Sequence, residues 1–277
     1  MGPLLLLLLQ ASAHQAGVQA YNEHRYADAV QHLSEALKTE AAGSKDYQES
    51  ALVLGESLYF EKRFDDAIPW FEKAVAAGAQ TLVAEFMLGN ACLRARQDEK
   101  ALKSFASLFQ VSPDSSAAHL LTAEMMLREQ MEQGAEGEGR RALEIDSHIP
   151  QAHFILGETA LARGDAAQAI AEFQKEIAIN PNFPMAYYRL GEAYTKRAAW
   201  EDAISALERS IWLNPNHSGA YTVLGKAYLN HGDLDDAEGA LRHALQMDPR
   251  NAPAHHLLGE TLMRAGKTEE AKKELAR

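Results

Sequence analysis

The sequence predicts an all-α chain built from about eight consecutive helical hairpins, and three observations predict it. Glycines recur at Gly55, Gly89, Gly157, Gly191, Gly225 and Gly259, separated by 34 residues or a multiple of 34, with Ala123 in the one missing place. Twelve residues after each of these comes alanine, as Ala67, Ala101, Ala135, Ala169, Ala203, Ala237 and Ala271. An earlier copy centred on Gly17 and Ala29 lies 38 residues before Gly55, the four extra residues falling in the polar stretch from Thr39 to Asp46. Self-similarity at such a period indicates stacked supersecondary units that cover one another's apolar faces.

Each repeat reads as two helices. Apolar residues recur at steps of three and four, as in Tyr187, Leu190, Gly191 and Tyr194, and polar turns such as Arg163-Gly164-Asp165 and His231-Gly232-Asp233 interrupt them midway. Sixteen residues after the glycine stands a large apolar residue in seven repeats (Leu33, Phe71, Phe105, Phe173, Leu207, Leu241, Leu275), whereas the fourth has Gly139. Small residues at the recurring glycine and alanine positions let two helices approach closely. Pro113, Pro181, Pro215 and Pro249 follow the second helices, because proline lacks an amide proton and its ring clashes with the preceding turn. The repeats fall at approximately residues 10–43, 48–81, 82–115, 116–149, 150–183, 184–217, 218–251 and 252–277, the last being short of a full second helix. The fourth, with Gly134, Gly137 and Gly139 in one helix, is the expected weak point of the array.

Composition agrees with a folded chain and narrows its chemistry. Of 277 residues, 47% are hydrophobic and 24% charged, and 27 Lys and Arg against 39 Asp and Glu leave a net charge of −12. That field repels phosphate backbones and anionic lipid, so nucleic acid and membrane surfaces are poor partners. The single Cys92 excludes an intramolecular disulfide and a four-thiolate zinc site. At the amino terminus, six leucines from Leu4 to Leu9 precede Ala11-Ser12-Ala13, a small-x-small pattern. This predicts an export signal over residues 1–13, a repeat array over 14–277 and a periplasmic or secreted location, although Met1-Gly2-Pro3 carries no basic residue. The run is far shorter than the roughly 20 apolar residues that cross a bilayer.

The spacing of Tyr221, Leu224-Gly225, Tyr228, Ala237, Leu241, Ala244 and Pro249 resembles a tetratricopeptide repeat, and the resemblance, to a bacterial exported type, extends over almost the whole chain. It implies an open right-handed α-α superhelix, a solenoid whose first helices line a concave groove, with binding of protein or peptide as the default activity.

No enzymatic constellation emerges from the residues, and no cofactor or metal is expected. His119, His153 and His255 share one position, four before the glycine or its substitute, where Tyr187 and Tyr221 stand in other repeats; the resemblance implies an aromatic wedge there. The glycine cluster of the fourth repeat lacks the strand and Lys-Ser/Thr of a phosphate cradle. The acid pairs Asp65-Asp66, Glu201-Asp202 and Asp235-Asp236 fall where second helices begin and the helix dipole favours negative charge. Cys92 occupies a core position.

The resemblance points to first-helix positions three before, and one, four and five after, the glycine as groove residues. Those selected are Leu52, Phe86, Leu120, Phe154 and Tyr188 as an apolar strip, Asn90, Glu158 and Glu192 beside it, and Arg94, Arg128 and Lys196 as positive charges. The three cations lead to an expectation that the ligand carries an acidic residue near an apolar one. Glu124 with Arg128, Glu192 with Lys196 and Glu260 with Arg264 are also spaced as four-apart helix pairs, each worth roughly 0.2–0.5 kcal/mol. Relatives that grip a carboxylate terminus use lysines and asparagines here; only Asn90 matches, flanked by Glu56 and Glu124. The function expected is a non-enzymatic interaction scaffold. Two other readings are the repeat portion of a longer enzyme, such as a peptidase or glycosyltransferase, and a self-assembling adaptor whose last repeat stacks on another copy.

Overall fold

The computed structural model describes residues 3–79 and 81–276, the side chains of residues 3–12 and Thr81 lying outside the described set. Met1, Gly2 and the side chains of the leucine run therefore lie outside the described residues, and of the expected signal segment 1–13 the helical backbone from Pro3 onward is described. Sixteen helices, and no strand, form among the described residues: α1 (Pro3–Asn22), α2 (Tyr26–Ala36), α3 (Lys45–Phe60), α4 (Phe64–Ala77), α5 (Thr81–Arg94), α6 (Asp98–Leu108), α7 (Ser116–Arg128), α8 (Glu132–Ile145), α9 (Ala152–Ala162), α10 (Ala166–Ile179), α11 (Pro184–Lys196), α12 (Trp200–Leu213), α13 (Ser218–His231), α14 (Leu234–Met247), α15 (Ala252–Arg264) and α16 (Thr268–Leu275). They follow the expected order of consecutive hairpins.

The turn inside each hairpin uses one backbone device. Seven residues after the repeat glycine or its substitute, φ is positive in every repeat: His24, Lys62, Arg96, Gln130, Gly164, Ala198, Gly232 and Gly266. The next amide then reaches back across the turn, as Asp165 N–H does to the Ala160 carbonyl (2.9 Å) and Ala199 N–H to that of Tyr194 (3.1 Å). Carbonyls left without partners at the end of the first helix are thereby satisfied. Only three of the eight positions are glycine, so most of these turns hold an L-residue in the left-handed region.

The expected close approach of the paired helices is present and involves the large residue sixteen positions on. A Cβ on Gly55 would lie 2.7 Å from the Phe71 ring, on Gly157 2.4 Å from Phe173, and on Gly225 2.5 Å from Leu241. Phe71, Phe105, Phe173, Leu207 and Leu241 are fully buried, each filling the space its glycine leaves open. This knob and hole is the core of a hairpin. The fourth repeat exchanges the two, with Ala123 for glycine and Gly139 for the large residue.

The chain divides into two compact units, Met1–Glu129 and Gln130–Arg277, and the division falls between α7 and α8 in that same repeat. Within the first unit α1 touches α3 and α3 touches α5; within the second, α9, α11, α13 and α15 touch in succession. Successive second helices make no comparable contact among the described residues. First helices therefore form the inner layer of each unit and second helices the outer. No helix among the described residues is long and apolar enough to cross a membrane.

Candidate protein-binding site

In the first unit the inner layer carries an apolar strip that the fold leaves partly uncovered. On α5, Leu82, Val83 and Phe86 are exposed, Leu82 to 65% and Phe86 to 39%. Positions 82, 86 and 90 are four apart, so one face of α5 presents Leu82, Phe86 and Asn90 in line. Leu52 on α3 is buried at 5% exposure, and Leu120 on α7 is half-buried. Near the end of α3, the exposed ring of Phe60 stacks on Tyr26 with centroids 4.8 Å apart and lies 6.4 Å from Tyr21.

Polar groups border that strip at one register position. Glu56, Asn90 and Glu124 each follow the repeat glycine or its substitute by one residue. Burial pushes the carboxyls of Glu56 and Glu124 above their ordinary range, opposed at Glu56 by a hydrogen bond from the Tyr21 hydroxyl and at Glu124 by the charge of Arg128. Asn90 is buried at 7% exposure, and its side chain forms no hydrogen bond among the described residues. Arg94 is engaged by Glu129 in an ion pair, so this expected cation is compensated within the protein.

The second unit treats the equivalent positions differently. Phe154 packs against Phe173 and Phe183, with centroids 5.7 and 5.0 Å away, and is drawn into the core around Ala160, Phe173 and Leu190. The Tyr188 hydroxyl donates to Glu192 (2.9 Å), and its ring meets the edge of His217 at 4.6 Å. Glu158 and Glu192 close on the guanidinium of Arg189, with Nε 2.9 Å from Glu158 and Nη1 2.7 Å from Glu192. Glu192 is thus held by Arg189 rather than by Lys196, which is exposed without an ion pair among the described residues. Arg264 likewise donates to the Leu229 carbonyl (2.7 Å) instead of meeting Glu260.

Arg189 was not among the groove residues expected from sequence, although a signal was present. Two residues before the glycine or its substitute, other repeats carry Gln15, Val53, Met87, Leu121, Ile155, Val223 and Leu257; only here does a cation take the place. The histidine position held a second signal. His153 Nδ1 lies 2.7 Å from Glu172 and His255 Nδ1 2.7 Å from Glu274, each acid nineteen residues after its histidine. Where tyrosine replaces histidine, at Tyr187 and Tyr221, the residue nineteen later is alanine, Ala206 or Ala240, which makes room for the larger ring.

Other chemistry finds no assembled site. No group of three metal-ligating side chains occurs among the described residues. A shallow cavity of about 310 Å³ between α8, α9 and α10 is lined by Arg140, His153, Glu172 and Lys175, but Glu172 already accepts from Lys175 (2.9 Å) and faces His153. Burial pushes the Cys92 thiol up to about 11, so it is protonated at neutral pH and a poor nucleophile. The three acid pairs sit in the first turns of α4, α12 and α14, as the dipole argument requires.

Residues 114–276 match the family described as the Cilia and flagella-associated protein 70 C-terminal domain, and residues 6–80 match the tetratricopeptide repeat. Among curated proteins compared by sequence, none matches. Of solved structures, MamA 41-end from Desulfovibrio magneticus RS-1 is 24% identical with a TM-score of 0.56, over 59% of this chain and 92% of its own. A crystal structure of MamA is 27% identical with a TM-score of 0.52, over 56% and 90%. The APC/C hetero-tetramer Cut9-Hcn1 is similar over 91% of this chain and 48% of its own, at 19% identity and a TM-score of 0.55. In general terms the chain is a protein-interaction scaffold, since the repeat class does its work by presenting helix faces to other proteins. Its 34-residue period, glycine-centred hairpins and inner layer of first helices identify it as a member of the tetratricopeptide repeat family, residues 114–276 belonging to the class of the Cilia and flagella-associated protein 70 C-terminal domain.

Proposed function

We propose that the chain binds an extended or helical segment of a partner protein on the inner face of its first unit, with Phe86 as the central apolar anchor and Leu82 and Leu120 beside it. The observation that carries this reading is the uncovered face of α5: large apolar side chains exposed on an inner-layer helix, next to an amide that makes no hydrogen bond among the described residues. Burying such area contributes on the order of 25 cal/mol per Å², from which association costs are subtracted. Phe154 and Tyr188 are assigned mainly to packing, because their rings and hydroxyl already have partners within the second unit.

The test is selection of peptides from a random dodecapeptide library on the immobilised full chain, followed by anisotropy titration of the enriched peptides. Phe86→Ser is expected to abolish their binding with the helical circular dichroism spectrum unchanged. Undiminished binding to that variant would remove the α5 face from the site.

A further inference from the structure

We propose that the inner face of the first unit selects a segment with two basic residues about six apart and an apolar residue between them, the cations seated on Glu56 and Glu124. This rests on the binding reading given above and specifies the partner's chemistry.

The second unit shows what such a pair of carboxylates does with a guanidinium. Glu158 and Glu192 stand one residue after the glycines of successive repeats, and Arg189 lies between them at 2.9 and 2.7 Å with its guanidinium 5.6 Å from the Tyr188 ring. Glu56 and Glu124 hold the same register position in alternate repeats of the first unit; no ion pair closes on either among the described residues, while the Tyr21 hydroxyl donates to Glu56 and the charge of Arg128 bears on Glu124. The residues equivalent to Arg189 there are Val53, Met87 and Leu121. The first unit therefore presents the carboxylates without a guanidinium set between them, a place that a cation of an incoming segment can take.

Two further features fit that occupant. Asn90, on α5 between the two acid-bearing helices in chain order, is nine-tenths buried with a side-chain amide that makes no hydrogen bond among the described residues, as suits a bond to the backbone of a segment laid across it. The apolar strip of Leu82 and Phe86 lies on the same helix, so the middle of the segment meets hydrocarbon while its ends meet carboxylates. Taking each step between neighbouring first helices at the roughly 8–10 Å of packed helices puts Glu56 and Glu124, two steps removed, at roughly 20 Å. An extended chain covers that in about six residues. Arg94, which would favour an acidic ligand, is paired with Glu129. The charge preference proposed for this face is opposite to the one expected from its cations in the sequence. Long-range attraction from a chain of net charge −12 adds to it.

The experiment uses the same dodecapeptide library on the full chain and on Glu56→Gln, Glu124→Gln and Phe86→Ser. Expected is enrichment of Lys or Arg pairs about six apart around an apolar residue, with each glutamine variant weakening the best peptide about tenfold. The two glutamine variants are compared separately, because Glu56 also holds the Tyr21 hydroxyl, and each is verified by its melting curve. Enriched peptides without basic pairs, or glutamine variants that bind as tightly as the parent while Phe86→Ser does not, would overturn the charge selection and leave the apolar site standing. Binding unaffected by Phe86→Ser, or no enrichment at all, would overturn both.

Discussion

Phe105 closes on Gly89 so tightly that a Cβ at residue 89 would lie 2.4 Å from ring carbon Cε1, and the ring itself is fully buried. Gly89→Ala therefore forces a rigid aromatic to move within a filled core. Overpacking of this kind costs roughly 1–3 kcal/mol, more than the roughly 1 kcal/mol that alanine returns through helix propensity. Net destabilisation of up to about 2 kcal/mol is expected in urea titration. Gly239→Ala is the opposing control: it is helical, exposed and has nothing within 4 Å of the added Cβ, so it should stabilise by up to about 1 kcal/mol.

Ala198 sits at φ 56° in an exposed turn where three other repeats place glycine. Holding an L-residue there costs on the order of 1–2 kcal/mol, partly offset by the smaller entropy that alanine loses on folding. Ala198→Gly should raise the melting temperature by a few degrees, and Gly232→Ala, at φ 112°, should lower it. Differential scanning calorimetry of the two variants decides the sign.

The two aromatic anchors should separate under mutation. Phe154 is wedged between Phe173 and Phe183, so Phe154→Ser is expected to cost roughly 2–3 kcal/mol of stability, below the 3–5 kcal/mol of a fully buried ring. Phe86 is 39% exposed, so Phe86→Ser should cost about 1 kcal/mol or less while removing peptide binding. Paired chemical denaturation and anisotropy measurements check both.

Glu56 supplies the pH dependence. Burial holds its carboxyl above the ordinary range, opposed by the Tyr21 hydroxyl, so its folded-state pKa exceeds the unfolded one. The ionised form carries the penalty: it is present in full above the folded pKa and is relieved as pH falls through that value toward the unfolded one. Glu56→Gln should consequently raise the melting temperature at pH 8 and make little difference at pH 4. Affinity for a basic peptide should fall as the pH drops through the same window, because protonation removes the charge that receives it.

Export remains a proposal carried by the leucine run and Ala11-Ser12-Ala13. Cleavage after Ala13 would leave His14 as the first residue and residues 14–22 as the remainder of α1. Amino-terminal sequencing of the protein isolated from its host is expected to start at His14; a chain that starts at Met1 in the cytosol would refute it.

Periodicity by itself determined the architecture. The glycine, the alanine twelve later and the large residue sixteen later are contacts within one hairpin, so their spacing records a local geometry that each repeat must reproduce. The acid pairs at second-helix starts were legible for the same reason, since a dipole acts on the first turn of its own helix. What the register could not reveal was which polar groups would find partners in a neighbouring repeat. Arg189 stands out in sequence as the one cation at its register position, but only packing shows that it is set between Glu158 and Glu192, and Arg94, free by its register, meets Glu129. Phe86 and Phe154 hold equivalent positions, yet one is exposed and the other half-buried, because Phe183 packs on Phe154 and no ring among the described residues stacks on Phe86. Helix pairing is decided over a few turns of chain, whereas burial and charge compensation depend on side chains tens of residues apart, and only the tertiary structure brings those together.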